Sequence, residues 1–368
     1  MNAAISRSSR MSPFSGRAIG YIASRAMHDL VMSFSILAIA SLMFLVISRV
    51  VLGRGPAELW EALFSPVAGS HPIQSFQQWS VLVNSAAPLW LAAMAFSVPY
   101  HAGFINLGGE GQISIGGFAA AAAAICAPSF LLTSNHGQFA IVGLSVLAAA
   151  LSAGLWGLAA FLLKAKFGAN EVIVTLLLNT IALGVINLAL KYPVWADTNA
   201  QGVQTRSLPG LLSKAHASFL AAHGFTLLCF VLLLSSHAYL WWSKPGLRLR
   251  AAGRAPAAAQ LCGINPRQML FVAVLVGTCL AGISAVDQVF STGRFYVDHF
   301  VGWGFEGITI AILGRHRMVG IIVTSIYFAF LKEVGISLQI WGSTYGAFIM
   351  VQALFLFVYL FIERRTRI

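Results

Sequence analysis

Two short glycine-rich tetrapeptides carry the carboxylates best suited to chemistry, Gly108-Gly109-Glu110-Gly111 and Gly304-Phe305-Glu306-Gly307. Each precedes an apolar run, QISIGGF in the first case and ITIAILG in the second. A carboxylate in a helix's first turn is favoured by the unpaired amides and the positive end of the dipole. Flanking glycines let neighbouring backbones approach closely. Glu110 and Glu306 therefore suit helix-end capping, and also gating or contact with a polar solute; a proton relay is the weakest use. Asn84, Asn106 and Asn179 stand in or beside apolar runs, with Asn187 further along. They suit a polar pathway, or hydrogen bonds between helices.

Other chemistries find no residues. The four cysteines, Cys126, Cys229, Cys262 and Cys279, have no CxxC or metal-ligand spacing and read as small buried hydrophobes. A GxxxxGK[ST] phosphate loop is absent, so any ATP must bind to another chain. Neither HExxH, nor GxSxG, nor a close group of His and carboxylates supports an intramembrane enzyme.

The elements that position these residues are membrane spans. The 368-residue chain is 58% hydrophobic and 9% charged, against about 25% charged in soluble domains. Its net charge of +12 is spread in small groups between apolar runs, which fits topology rather than a nucleic-acid-binding face. The fold class is an all-α polytopic membrane protein with about ten transmembrane helices of roughly 20 residues each. Expected spans are Val31–Leu52, Trp79–Tyr100, Ile113–Leu132, Gln138–Leu163, Val172–Leu190, 223–243, Met269–Phe290, Gly304–Gly314, Met318–Gly335 and Tyr345–Ile362. The eighth is short enough to be broken or re-entrant. GPAELWEALFSP, within 53–78, reads as an amphipathic helix at the outer surface. Residues 1–30 and 363–368 are cytoplasmic tails around one domain, 31–362. With both termini inside, sixteen Lys and Arg residues lie on the cytoplasmic side. Only Arg54, Lys191, Arg206, Lys214 and Arg294 lie outside, as the positive-inside bias requires. Lys332 near a span end reads as a snorkelling side chain, Asp287 as a rim residue, and Trp241-Trp242 as part of an aromatic belt.

Loop 244–268, KPGLRLRAAGRAPAAAQLCGINPRQ, holds Lys244, Arg248, Arg250, Arg254 and Arg267 without an acid. At roughly 2.5–3.5 kcal/mol per cation, burying five in lipid would cost on the order of 12–18 kcal/mol. The loop therefore stays at the cytoplasmic face. Pro245 and Gly246 are expected to end the preceding helix, and Leu247 to Leu261 to form a short basic helix. The two glycine-rich tetrapeptides each open the second helix of a four-helix group, 79–190 and 268–362. One leaves the cytoplasm and the other enters it, the pattern of an inverted-topology repeat.

These residues resemble a known family. Asn106-Leu-Gly-Gly-Glu110-Gly-Gln112 is similar to the NIGAEGQ-type motif of ABC-importer permeases for sugars, nucleosides and branched-chain amino acids. Gly168-Ala-Asn170-Glu171-Val172-Ile173 through Asn179 resembles the NEVI…T…LN segment of the nucleoside and simple-sugar branch. Leu249 through Gly253, Pro256, Ala257, Ala258, Gly263 and Ile264 resembles the cytoplasmic coupling segment, and Gly304–Gly314 with Gly320 the second glycine-rich signature. The resemblance spans about 79–335. Two positions depart from it: Gly253-Arg254-Ala255-Pro256 replaces the usual G-x-N-P, and Met318-Val319 stands where a proline often precedes the glycine.

The resemblance implies a permease subunit in the bacterial inner membrane, without a cofactor of its own. It implies pairing with a second permease, a heterodimer being favoured, two cytoplasmic ATPases that hold ATP and Mg, and a periplasmic or lipid-anchored solute-binding protein. ATPase contact falls on Leu247, Arg248, Arg250, Gly253, Arg254, Pro256, Ala257, Ala258 and Gly263; pathway or gating roles fall on Asn84, Asn106, Glu110, Asn179 and Glu306. An ion-coupled secondary transporter or channel is the competing class, and would need ionisable groups deep in the spans.

Overall fold

The computed structural model describes residues 72–132, 134–197, 202–209, 219–297 and 299–339. The expected span Val31–Leu52, the amphipathic segment GPAELWEALFSP, Lys214, Asp298, the span Tyr345–Ile362 and both tails lie outside the described residues.

Apolar runs of this length satisfy every backbone group internally only as helices. The described chain accordingly forms α1 (Pro72–His101), α2 (Gly109–Ile125), α3 (Ser129–Leu132), α4 (Asn135–Phe167), α5 (Glu171–Ala189), α6 (Phe219–Trp242), α7 (Lys244–Arg254), α8 (Pro256–Leu261), α9 (Pro266–Ser284), α10 (Val286–Thr292), α11 (Trp303–Leu313) and α12 (Met318–Gln339). Five stretches are long and apolar enough to cross a membrane: Trp79–His101, His136–Phe167, Glu171–Ala189, His223–Trp242 and Pro266–Thr292. The protein is a multi-pass membrane protein.

Three boundaries differ from expectation. The third apolar run is divided, because Pro128 follows the end of α2 and the chain turns into the single turn α3. The seventh breaks at Ala285 into α9 and α10. The sixth run does end ahead of Pro245, as expected, and Pro245 then occupies the first turn of α7, where its missing N–H costs nothing. Ser243 starts that helix, accepting from the Gly246 amide at 3.0 Å while donating to the Tyr239 carbonyl at 2.6 Å. The expected single basic helix is two, since Pro256 disfavours helical geometry at Ala255.

Lipid tails are as apolar as leucine, so helices associate by close packing of small residues. Helix α9 is central, lying against α1, α2 and α4, while α1 also packs on α11 and α12. Gly116 of α2 meets the Gly282 backbone of α9, with the Gly282 carbonyl 2.8 Å from where a Gly116 Cβ would stand. Gly282 in turn faces the Ala149 carbonyl and, at 2.6 Å, the Ala153 methyl of α4. Outward, α4 and α5 present Leu147, Leu151, Leu155, Leu177 and Leu188, a surface suited to lipid. At one end the 191–208 and 293–297 segments join through Thr205 N–H to the Phe295 carbonyl (3.0 Å) and the Arg294–Asp197 ion pair (2.9 Å).

Replacing Gly282 with leucine drives a side chain into α4 and should cost about 1–3 kcal/mol or more of overpacking. Gly184, with nothing within 4 Å of its added Cβ, is the control. Thermal unfolding in detergent should fall for Gly282→Leu and stay near the parent for Gly184→Leu.

Candidate functional site: facing short helices and a basic elbow

At 1.5 Å per residue, the 17 residues of α2 and 11 of α11 reach about 25 and 16 Å, less than the roughly 30 Å hydrocarbon layer. Their glycine-rich starts meet. Gly304 lies against the Gly109-Glu110 backbone, and a Gly109 Cβ would stand 3.3 Å from the Gly304 Cα. Only glycine permits backbones this near. Neither helix is capped by its own N-cap side chain. Instead the Glu110 carboxylate accepts from the Gly302 amide at the start of α11. Glu306 has Lys332 as its charged neighbour. The Lys332 ammonium sits over the Trp303 ring at 4.4 Å, half-buried rather than snorkelling to a surface.

A hydrogen-bonded clamp holds the start of α2. Asn106 is buried and exchanges two 3.0 Å bonds with Gln112, while its Oδ1 accepts from the Gly108 amide at 3.1 Å. From α5, Thr175 Oγ1 accepts from the Leu107 amide at 3.2 Å, and Asn179 Oδ1 from the Gly111 amide at 2.9 Å. The Asn179 amide nitrogen also donates to the Leu107 carbonyl at 3.0 Å. Asn170 caps α5, and Glu171 pairs with Lys164 at 2.8 Å. The two sequence motifs 106–112 and 168–179 are thus the two sides of one clamp. Asn106, Glu110 and Asn179 come together; Asn84 does not join them. Its Oδ1 accepts from Thr226 of α6 at 2.6 Å, next to His223. Asn187 lies exposed on α5.

The basic surface is an elbow of α7 and α8 seated on the His101 end of α1. Leu249 and Ala252 are buried. Gly253 packs directly on the His101 carbonyl and lies 2.8 Å, measured from its added Cβ, from Ala102 Cα. The opposite face exposes Leu247, Arg248, Arg254, Pro256, Ala257 and Ala258, with Leu261 91% exposed. Gly263 follows in a left-handed turn, φ +75°.

Arg250 does not share that face. Its guanidinium lies over Trp241 at 4.4 Å, and Arg317 lies over the same ring at 3.8 Å. Trp241 also meets His101 edge-on, and His316 stacks on Tyr100 at 4.6 Å while its Nδ1 bonds Ser97 Oγ at 3.0 Å. This link from α7 through Trp241 to the α11–α12 turn went unread in the sequence. Trp241 passed for an interfacial belt residue and Arg315-His316-Arg317 for topology markers. Gly314 in front of a run with two left-handed residues, Arg315 and His316, was the signal of a tight turn.

Long apolar helices packed around two short ones whose glycine-rich starts meet, beside a basic elbow, are an arrangement met in polytopic transport proteins. The chain belongs to the family described as branched-chain amino acid transport system / permease component, whose model matches residues 78–362. It is 25% identical over 311 residues to the guanosine ABC transporter permease protein NupP of Bacillus subtilis, covering 82% of this chain and 83% of that protein. A glucose ABC transporter permease protein of Haloferax volcanii is 26% identical over 305 residues, 80% of this chain and 77% of the relative. A second guanosine permease protein of Bacillus subtilis, NupQ, is 26% identical over 263 residues, 68% and 79% respectively. The chain is therefore a transport component of an ABC importer, with the ATPase on a separate subunit.

Asn179→Ala strands the Gly111 amide and the Leu107 carbonyl, and should lower stability by about 1–3 kcal/mol per unsatisfied group, read as an earlier thermal transition. The His316 imidazole is held from 6.5 down to about 4, first by burial and then by neighbouring His101. It stays neutral in the fold while the unfolded chain protonates, so its contribution is present above about pH 6.5 and lost as pH falls towards 4. His316→Gln should flatten the acid-side dependence of melting temperature over that window.

Proposed function

We propose that the chain moves a small polar solute of the nucleoside or simple-sugar type across the bacterial inner membrane by alternating access. The observation that carries this reading is the α7–α8 elbow. It offers Leu247, Arg248, Arg254, Pro256, Ala257, Ala258 and Leu261 to a partner while Gly253 presses its other side onto α1. A cytoplasmic ATPase docks on that exposed face, with ATP and Mg bound to the ATPase and no cofactor on this chain. Arg250 and Gly263 shape the elbow from behind.

Both termini are cytoplasmic, and eight of ten spans form two oppositely oriented groups of four, 79–190 and 268–362. The packing supports this pairing: α1 lies against α11 and α12, and α9 against α2 and α4, with the two half-helix starts touching between them. Solute passes beside that junction. Glu110 and Glu306 act as gate residues there, Asn106 and Asn179 hold the gate in place, and Asn84 lines the approach along α6. A second, non-identical permease completes the pathway, as the two guanosine permeases of one Bacillus subtilis strain among the relatives suggest. An external solute-binding protein delivers the cargo and sets much of its selectivity.

The elbow is tested by copurification. The full chain, coexpressed with the ATPase encoded beside it, should retain that ATPase in detergent. The double variant Arg254→Glu with Leu261→Asp should lose it by at least tenfold without losing its own folded elution profile. Retention by the variant, or solute flux in vesicles containing this chain alone and driven by an ion gradient, would favour a secondary transporter instead.

A further inference from the structure

The inner end of α6 and the first turns of α7 enclose a group of side chains that passage of solute does not use. Trp241 carries Arg250 and Arg317 over its ring. One helical turn earlier His237, 9% exposed, lies with its ring centroid 6.4 Å from that of Trp241. Arg250 Nε, Trp241 Nε1 and His237 Nδ1 are all buried without a hydrogen-bond partner. A buried N–H without an acceptor costs its full desolvation penalty, and three orphaned nitrogens in one cluster are unusual for a folded interior.

The charges agree with the orphaned donors. Among the described residues no carboxylate pairs with Arg250 or Arg254. Burial, and then the Arg254 cation, hold the Arg250 guanidinium below its ordinary value. Two N–H donors, an imidazole and clustered guanidiniums complement an anion with several acceptor oxygens. The surroundings decide which anion. Helix α6 exposes Leu227, Val231 and Leu234 on the way to Trp242, which is 74% exposed and 5.8 Å from His237. An apolar stripe that ends in an exposed tryptophan beside cations fits acyl chains below a headgroup.

We propose that the cluster of His237, Trp241, Arg250 and Arg317 binds the phosphate of an acidic phospholipid from the inner leaflet. The inference rests on the inward placement of α7 proposed above, but its test requires neither transport nor an ATPase. The full chain in detergent, titrated with phosphatidylglycerol or phosphatidylcholine and followed by native mass spectrometry, should retain only the former. Arg250→Gln should weaken retention about fivefold, the effect of one interfacial cation. Arg267→Gln, an exposed cation outside the cluster, should not change it. Trp241→Phe keeps an aromatic face, smaller than the indole, and deletes the N–H; it should weaken retention while its melting temperature in lipid-free detergent stays near the parent's. Equal retention of the two lipids, unchanged retention in both Arg250→Gln and Trp241→Phe, or displacement of phosphatidylglycerol by millimolar inorganic phosphate would each overturn the proposal. Loss of ATPase docking with lipid retention intact would count against the importer elbow alone.

Discussion

A helix that begins halfway across a bilayer exposes up to four backbone N–H groups where no water can reach them. Two short apolar helices of this protein, α2 and α11, start against each other without a side-chain cap of their own, and much of the surrounding structure takes up the amides there. At the start of α2 the amides of Leu107, Gly108 and Gly111 are taken by Thr175, Asn106 and Asn179. At the start of α11 the Gly302 amide is taken by Glu110 from the neighbouring half-helix. Glu110 thus answers for α11 rather than for its own helix. The arrangement ties the two half-helices together through polar groups as well as through the Gly109–Gly304 contact.

Close approach of backbones is the second requirement, and glycine meets it at each crossing. With no hydrophobic drive between helices in lipid, attraction comes from many short contacts that a single methyl would abolish. The central helix α9 can touch α1, α2 and α4 together because it presents Gly277, Gly282 and small neighbours to them. The turn joining α11 and α12 follows the same logic, with Gly320 resting on the Gly314 backbone. That contact accounts for a glycine six residues beyond the second glycine-rich signature.

The basic elbow is joined to the packed body through two kinds of contact. The α7–α8 elbow rests on α1 through Gly253, and Arg250 continues the contact through Trp241 towards Arg317 and the turn after α11. The elbow is therefore in contact, directly or through Trp241, with α1 and with the turn that follows α11. Cation–π contacts are less directional than hydrogen bonds, so one ring can hold two guanidiniums at once.

Much of this was legible in the residues themselves. Hydropathy picked out the runs that form long apolar helices, and Gly-x-Glu-Gly marked the starts of both α2 and α11, because each property is local to a few residues. The motif Asn170 to Asn179 was legible as a pattern but not as a mechanism. Its partners, the Leu107 and Gly111 amides, lie 68 residues or more away from the side chains that bond them. Pro245 was legible as the break after the preceding helix, but not as part of the first turn of the next one, which Ser243 caps. Only the tertiary structure decided that Glu110 caps the opposite helix, that Lys332 turns inward beside Glu306, and that Arg250 lies on Trp241 while Arg248 and Arg254 face outward. Each of those outcomes depends on where helices distant in the chain cross, and crossing points arise from packing of small side chains in three dimensions rather than from any short stretch of sequence.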